Sequence, residues 1–292
     1  MTSCPSTTDP LRLIRQAPVT RATLLCTVRD CRLPLTREER RLVCPNGHSF
    51  DVARRGYVNL LQPQDRRSRR PGDSAEVFAA RRRVLAGVEA RLVSDLVDLL
   101  AAAPGGAVLD VGCGEGHHLA LIAERFGGEA HGIDISVAAI DAAARGHRGL
   151  EWIVANADRF VPYADASFSV VASITGRMNP GEFRRVVRED GILLVAVPAH
   201  DDLVELRESI LGEGVLRDRV ERTLANFAPQ FTLERHERIR HVARLDAAAI
   251  ADVMTSAYRA LRARERARLT AIGEMEVTQS RDVLIFRPRA VH

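Results

Sequence analysis

The stretch Asp110-Val111-Gly112-Cys113-Gly114-Glu115-Gly116 decides how the chain is read. An apolar run, Ala107 to Val111, precedes it and is expected to be a strand. Glu115 to Phe126 follows with helical apolar spacing. Glycines at the turn from strand to helix let the backbone bend sharply and approach a ligand without a Cβ clash. The helix N-terminus beyond adds oriented N–H groups. Taken alone, this loop also fits a dinucleotide-binding enzyme. Outward from it the segments alternate. Ala130 to Asp134 reads as a second strand, Ser136 to Arg145 as a helix capped by Ser136, and Leu150 to Ala155 as a third strand. Ser167 to Ile174 and Ile192 to Val197 are further strands, with a helix over Pro180 to Arg188 between them. Before the loop, Ser74 to Ala103 is helical in pattern. This alternation predicts an α/β fold with a mostly parallel sheet. Phe231 to Val242 and Glu276 to Arg287 read as a closing antiparallel pair.

Carboxylate and amide positions sharpen the reading. Asp134 ends the second strand, 18 residues after Gly116. A carboxylate there accepts both hydroxyls of a ribose. Asn156 follows the third strand and is placed to bond an adenine edge. Ile135 and Ala157 adjoin these two and complete the candidate binding set with Asp110, Gly112, Gly114 and Gly116. An open α/β sheet binds ligands at these strand ends. Cys113, inside the loop, reads as a buried inert thiol and not as a nucleophile. On the expected acceptor side lie Asp158, Asp165, Arg177 and Asn179. None is compelling, and the catalytic residue stays unassigned.

The N-terminal part carries a different constellation. Cys26-x4-Cys31-x12-Cys44-x3-His48 offers three thiolates and one imidazole, a set suited to tetrahedral zinc. Cys44-Pro45-Asn46-Gly47-His48 is a tight knuckle. About 40 residues bury too little apolar surface to fold alone, so a structural metal is expected. The chain divides accordingly into a tail (1–20), a zinc-binding module (21–62), a basic linker (63–75) and the α/β domain (76–292). Loss of a ligand such as Cys44 is expected to unfold the module and spare the α/β domain.

The 292-residue chain has a net charge of +4. Between Thr20 and Gly72 stand 12 arginines against 5 acids, so that segment carries +7 and the remainder −3. A basic module on a mildly acidic body suggests contact with a polyanion. Tyr57 lies in that module, and Arg66, Arg67, Arg69 and Arg70 lie in the linker. No run approaches the ~18 apolar residues of a membrane span. Met1 to Thr20 has no signal-like apolar core. A cytoplasmic protein with reduced cysteines is the expectation.

Asp110 to Gly116 resembles the first motif of class I S-adenosylmethionine-dependent methyltransferases, over roughly Ala79 to Arg287. The resemblance implies a seven-stranded sheet whose last strand is antiparallel, with S-adenosylmethionine as cofactor. It implies that Asp110 supports the loop, that Gly112, Gly114 and Gly116 line the methionine part, and that Asp134 holds the ribose. More specifically, Cys44 to Asp51, Arg55 to Leu61 and Arg69 to Glu76 with Ala80-Arg81-Arg82 resemble the 23S ribosomal RNA guanine-N1 methyltransferases. Met254 to Ala260 adds to the match. That family includes housekeeping bacterial enzymes and macrolide-resistance relatives such as tylosin-resistance methyltransferases. The likeness implies methylation of a guanine N1 in a 23S rRNA hairpin, and one structural zinc. Two features depart from the family pattern: four residues separate Cys26 from Cys31 where two are usual, and Ser173 to Asn179 does not closely match enterobacterial members. Three other readings stay open: a natural-product methyltransferase, a non-catalytic rRNA-binding protein and an NAD-dependent enzyme. The oligomeric state is open too, a homodimer being one option.

Overall fold

The computed structural model describes residues 22–65, 73–212, 218–258 and 261–290. The linker arginines Arg66, Arg67, Arg69 and Arg70 lie outside the described residues. Three short strands, β1 (Thr36–Glu38), β2 (Arg41–Val43) and β3 (Ser49–Asp51), form a small antiparallel sheet. After β4 (Val58–Asn59) come α1 (Ala75–Ala86) and α2 (Ala90–Asp98). Then follow β5 (Val108–Val111), α3 (His117–Phe126), β6 (Ala130–Asp134), α4 (Val137–Gly146) and β7 (Glu151–Val154). Next are β8 (Phe168–Ile174), α5 (Pro180–Val186), β9 (Val187–Pro198), α6 (Val204–Leu206) and α7 (Val220–Phe227). The described chain closes with β10 (Phe231–Asp246), α8 (Ala247–Ala257), α9 (Ala263–Ala271) and β11 (Glu274–Pro288).

The main sheet runs β10-β11-β9-β8-β5-β6-β7-β4. Within it β11 runs antiparallel to both neighbours, and every other pairing is parallel. Helices cover both faces of such a sheet, so its central strands are apolar, while the edge strand β10 is charged and largely exposed. All four residues of β5 and all seven of β8 are buried. Ser136 caps α4 by accepting from the Ala139 N–H at 3.3 Å, and Ser74 caps α1 from Val77 in the same way. The expected single helix over Ser74 to Ala103 is broken at Gly87, whose N–H closes α1 on the Arg83 carbonyl.

The seven strands β5 to β11 are the expected sheet, and the N-terminal module adds to it and to its core. β4, from the N-terminal module, pairs in parallel with β7, and Leu60 extends that ladder with an N–H bond to the Val154 carbonyl at 2.9 Å. The module is also not a separate body. Cys26, Leu35, Leu42, Cys44 and Phe50 belong to the same apolar core as Leu109, Tyr163, Phe168 and Phe286. Backbone bonds Leu25 N to Pro162 O (3.0 Å) and Ala164 N to Thr23 O (2.9 Å) tie the two further. A segment too small to build its own core shares that of its neighbour.

Candidate functional site

A cleft of about 1420 Å³ opens at the carboxyl ends of β5, β6, β7, β8 and β9. Gly112, Cys113, Gly114 and Glu115 form one wall, with Asp134, Ile135, Asn156 and Ala157 beside them. Gly112 and Gly114 both have positive φ, at +82° and +56°. A Cβ at Gly114 would meet nothing within 4 Å, so this backbone faces open space where a ligand can lie against it.

Asp134 is fixed from both sides. The Gly114 N–H donates to Oδ2 at 3.0 Å and the Ser136 N–H to Oδ1 at 2.8 Å. Burial pushes its carboxyl up, and those two N–H bonds oppose the rise. Each oxygen keeps a lone pair for a further donor. Asp110 lies beneath the loop, buried within β5. Burial, with the Asp134 charge adding, pushes it up to about 7.

One predicted site residue is placed otherwise. Gly116 is not on the cleft wall. Its φ of +81° starts α3, and a Cβ there would clash with the ring of the buried Trp152, at 2.2 Å from its edge. Asn156 borders the cleft and also ties the chain together: Nδ2 donates to the Asp65 carbonyl at 2.9 Å, and Oδ1 accepts from the Asp158 N–H at 3.1 Å. It thereby anchors the start of the linker, and each amide atom keeps one further hydrogen-bonding position. Cys113 is buried, and burial holds its thiol well above the ordinary value. Tyr57 is half-buried and packs on the core.

The acceptor-side candidates separate as well. Asp158 and Arg177 line the cleft, 3.8 Å apart. Asp165 instead pairs with Arg185 at 2.9 Å, and Asn179 caps α5. The structure adds residues that sequence reading missed. On α1, Arg82 grips Glu115 with two bonds of 2.8 and 2.9 Å, and Arg81 spans Asp73 (2.9 Å) and the Ser256 carbonyl (3.1 Å). Deep in the same cleft, the buried Arg281 joins Glu89 at 2.7 Å and Asp202 at 2.6 Å. His118 lines that region too, and burial pushes its imidazole down to about 3. Glu89, Asp202 and Arg281 are far apart in sequence and share no motif. Only the position of Asp202, just past a parallel strand, offered a signal.

The N-terminal cluster is compact. The ligand atoms of Cys26, Cys31, Cys44 and His48 all lie within 4.8 Å of one another. Cys31 and Cys44 sulfurs are 3.8 Å apart, and His48 Nδ1 is 3.4 Å from both the Cys26 and Cys44 sulfurs. Tetrahedral zinc with bonds of ~2.3 Å to sulfur and ~2.0 Å to nitrogen would give edges of about 3.8 and 3.5 Å. The residues therefore fit the ion. Gly47, at φ +79°, turns the knuckle so that its N–H reaches the Cys44 carbonyl at 2.8 Å. The wide gap between Cys26 and Cys31 closes because Asp30 takes a left-handed conformation (φ +48°) and the Cys31 N–H bonds the Val28 carbonyl at 3.0 Å.

Comparison with known proteins accords with this geometry. Residues 25–69 match the family described as RlmA, N-terminal, a zinc ribbon, and residues 108–191 match a methyltransferase domain. The chain is 38% identical over 232 residues to the 23S rRNA (guanine(748)-N(1))-methyltransferase of Streptomyces fradiae, covering 77% of this chain and 81% of the relative. A Bacillus subtilis relative, YxjB, whose name is of the same class, is 37% identical over 72% of this chain and 77% of its own length. Among solved structures, a chain of the complex between the Haloferax volcanii Trm112 methyltransferase activator and a methyltransferase superposes with a TM-score of 0.51. It is 17% identical, covers 75% of this chain and all of that one, and shows the fold alone. Zinc ribbon, glycine-loop cleft and identity over most of the chain agree, and the chain belongs to the 23S ribosomal RNA guanine-N1 methyltransferases.

Proposed function

We propose that this protein transfers a methyl group from S-adenosylmethionine to N1 of a guanine in a 23S rRNA hairpin, and that it works in the cytoplasm. The observation that carries this is the joining of a Cys3His module, rich in exposed arginine, to the very sheet whose strand ends form the cleft. Gly112 and Gly114 would lie along the methionine part and Asp134 would accept the ribose hydroxyls. Ile135 and Ala157 would flank the base. When bound, the cofactor supplies an electrophilic methyl on sulfonium. The protein's own part is to orient the acceptor, exclude water and take up a proton, and positioning alone can lower such a barrier by several kcal/mol.

Zinc, held by Cys26, Cys31, Cys44 and His48, would be structural, since four protein ligands leave no open position. Arg29, Arg40 and Arg54 are exposed and make no ion pair among the described residues. They offer phosphate contacts, in the manner expected for recognition of folded RNA. The test is incorporation of labelled methyl into a 23S rRNA hairpin, with mapping of the modified atom. Label in N1-methylguanine is the expected result. Label in small metabolites only, with RNA unmodified, would favour the natural-product reading.

A further inference from the structure

The candidate cofactor residues occupy the ends of β5, β6 and β7. On the other side of β5 the cleft is walled by the ends of β8 and β9, including Arg177, Ala199 and Asp202. An acceptor base has to enter on that side, because the glycine loop, Asp134 and Ile135 take the other. Asp158 follows β7, on the cofactor side, and is engaged with the exposed Arg177. Asp202 stands on the acceptor wall, with its side chain only 9% exposed. Arg281 Nη1 at 2.6 Å and the Ser280 N–H at 2.9 Å both meet its Oδ1. Arg281 Nη2 is held by Glu89 at 2.7 Å. Oδ1 is thus pinned, which leaves Oδ2 for a ligand. Glu89 and Asp202 share the one Arg281 guanidinium, so Oδ2 remains an acceptor without a bond from it, a position that favours an N–H donor.

We propose that Asp202 is the general base of the methyl transfer, accepting through Oδ2 the proton of guanine N1. This rests on the guanine-N1 reading above. On guanine's pairing edge the N1–H and the exocyclic amine are adjacent donors, and a carboxylate is acceptor-only when ionised. As the N1 proton passes to Oδ2, the N–H electron pair becomes the new N1–methyl bond. The pair of the broken sulfur–methyl bond stays on sulfur, which turns from sulfonium to neutral thioether. Asp202, now protonated, returns the proton to water. Burial pushes the Asp202 carboxyl up, Arg281 and the Ser280 N–H pull it down, and Glu89 pushes it up again. A carboxylate raised toward neutrality is the better-matched base. The groups around it are Arg281 and Ser280 from β11, Glu89 ahead of α2, and Arg207 beyond α6. His118 of α3 lines the same cleft and stays neutral at pH 7.

Asp202→Asn keeps the side chain's shape and an oxygen for Arg281 and Ser280. Wild type and variant would be compared for methylation of a 23S rRNA hairpin at saturating S-adenosylmethionine. Cofactor affinity by calorimetry and hairpin affinity by filter binding would be measured alongside. The variant's kcat should fall about 10²- to 10⁴-fold, with both affinities within about threefold of wild type. Its remaining rate should climb with pH at a slope of about one in log rate, as hydroxide replaces the missing base, while wild type stays flatter. A kcat within about threefold of wild type overturns the assignment. So does a loss that merely tracks weaker binding of cofactor or hairpin, which makes Asp202 structural. If Asp202→Asn does not fold, Asp202→Ser, which keeps an oxygen but no carboxylate, is read the same way. A wild-type protein that binds S-adenosylmethionine yet methylates no 23S rRNA hairpin overturns the guanine reading itself.

Discussion

At the scale of single residues, three side chains carry separable predictions. Asp134→Ala removes the acceptor for both ribose hydroxyls and the brace on the Gly114 N–H. Charge-assisted bonds of this kind contribute about 1.5–3 kcal/mol, so cofactor Kd should rise roughly 10- to 150-fold by calorimetry. An unchanged Kd would show that the ribose lies elsewhere. Gly116→Ala drives a methyl into Trp152 at a left-handed position. Overpacking plus backbone strain should cost about 2–4 kcal/mol in urea unfolding. Asp110 yields a pH dependence. Its folded-state value near 7 exceeds that of an unfolded carboxylate. Folding therefore holds its proton more tightly, and its contribution to stability is full below about pH 4 and is lost as pH rises to about 7. Asp110→Asn should remove that fall. The variant should gain on wild type by a few kcal/mol at pH 8 relative to pH 4, and a difference independent of pH would refute this. Much here was legible in sequence, because glycine and acid spacing around one loop is a local property. Gly116 misled because its role depends on Trp152, and the bond from Asn156 to Asp65 was equally hidden, since no local pattern reveals such distant partners.

At the scale of elements, alternation from Ala107 to Val197 read out the parallel strands and their helices, since apolar periodicity records which face is buried. The break at Gly87 and the entry of β4 into the sheet were not legible. β4 is only two residues long, and its pairing with β7 spans about a third of the chain. That pairing alters what zinc removal should do. The module's buried residues lie in the same core as Leu109 and Phe168, so the ion supports more than its knuckle. Chelation, or Cys44→Ser, should lower the melting temperature of the whole chain in one cooperative transition and loosen the β4–β7 edge in hydrogen exchange. A module that melts separately while amides of β7 keep full protection would contradict this.

At the scale of the molecule, charge was legible as composition, but its geometry was not. Several module arginines are spent within the protein: Arg37 pairs with Glu151, Arg55 with Asp141, and Arg32 lies over the Phe160 ring at 4.9 Å. Arg29, Arg40 and Arg54 remain as candidates for phosphate. Replacing Arg40 and Arg54 by Ala should weaken hairpin binding and flatten its salt dependence by about one unit of slope per lost contact. Cofactor affinity should be unchanged. Filter binding across several salt concentrations decides this, and a double variant with wild-type affinity and slope would move the RNA surface elsewhere. The β4–β7 pairing has one more consequence, for solubility. β7 is Glu151-Trp152-Ile153-Val154, its last three residues buried, and β4 is what covers its outer backbone. A chain trimmed of its first 62 residues would bare that apolar rim, with unpaired N–H and C=O groups ready to template another copy. The trimmed protein is expected to aggregate, so the segment that carries the metal also acts as a guard against strand-to-strand association.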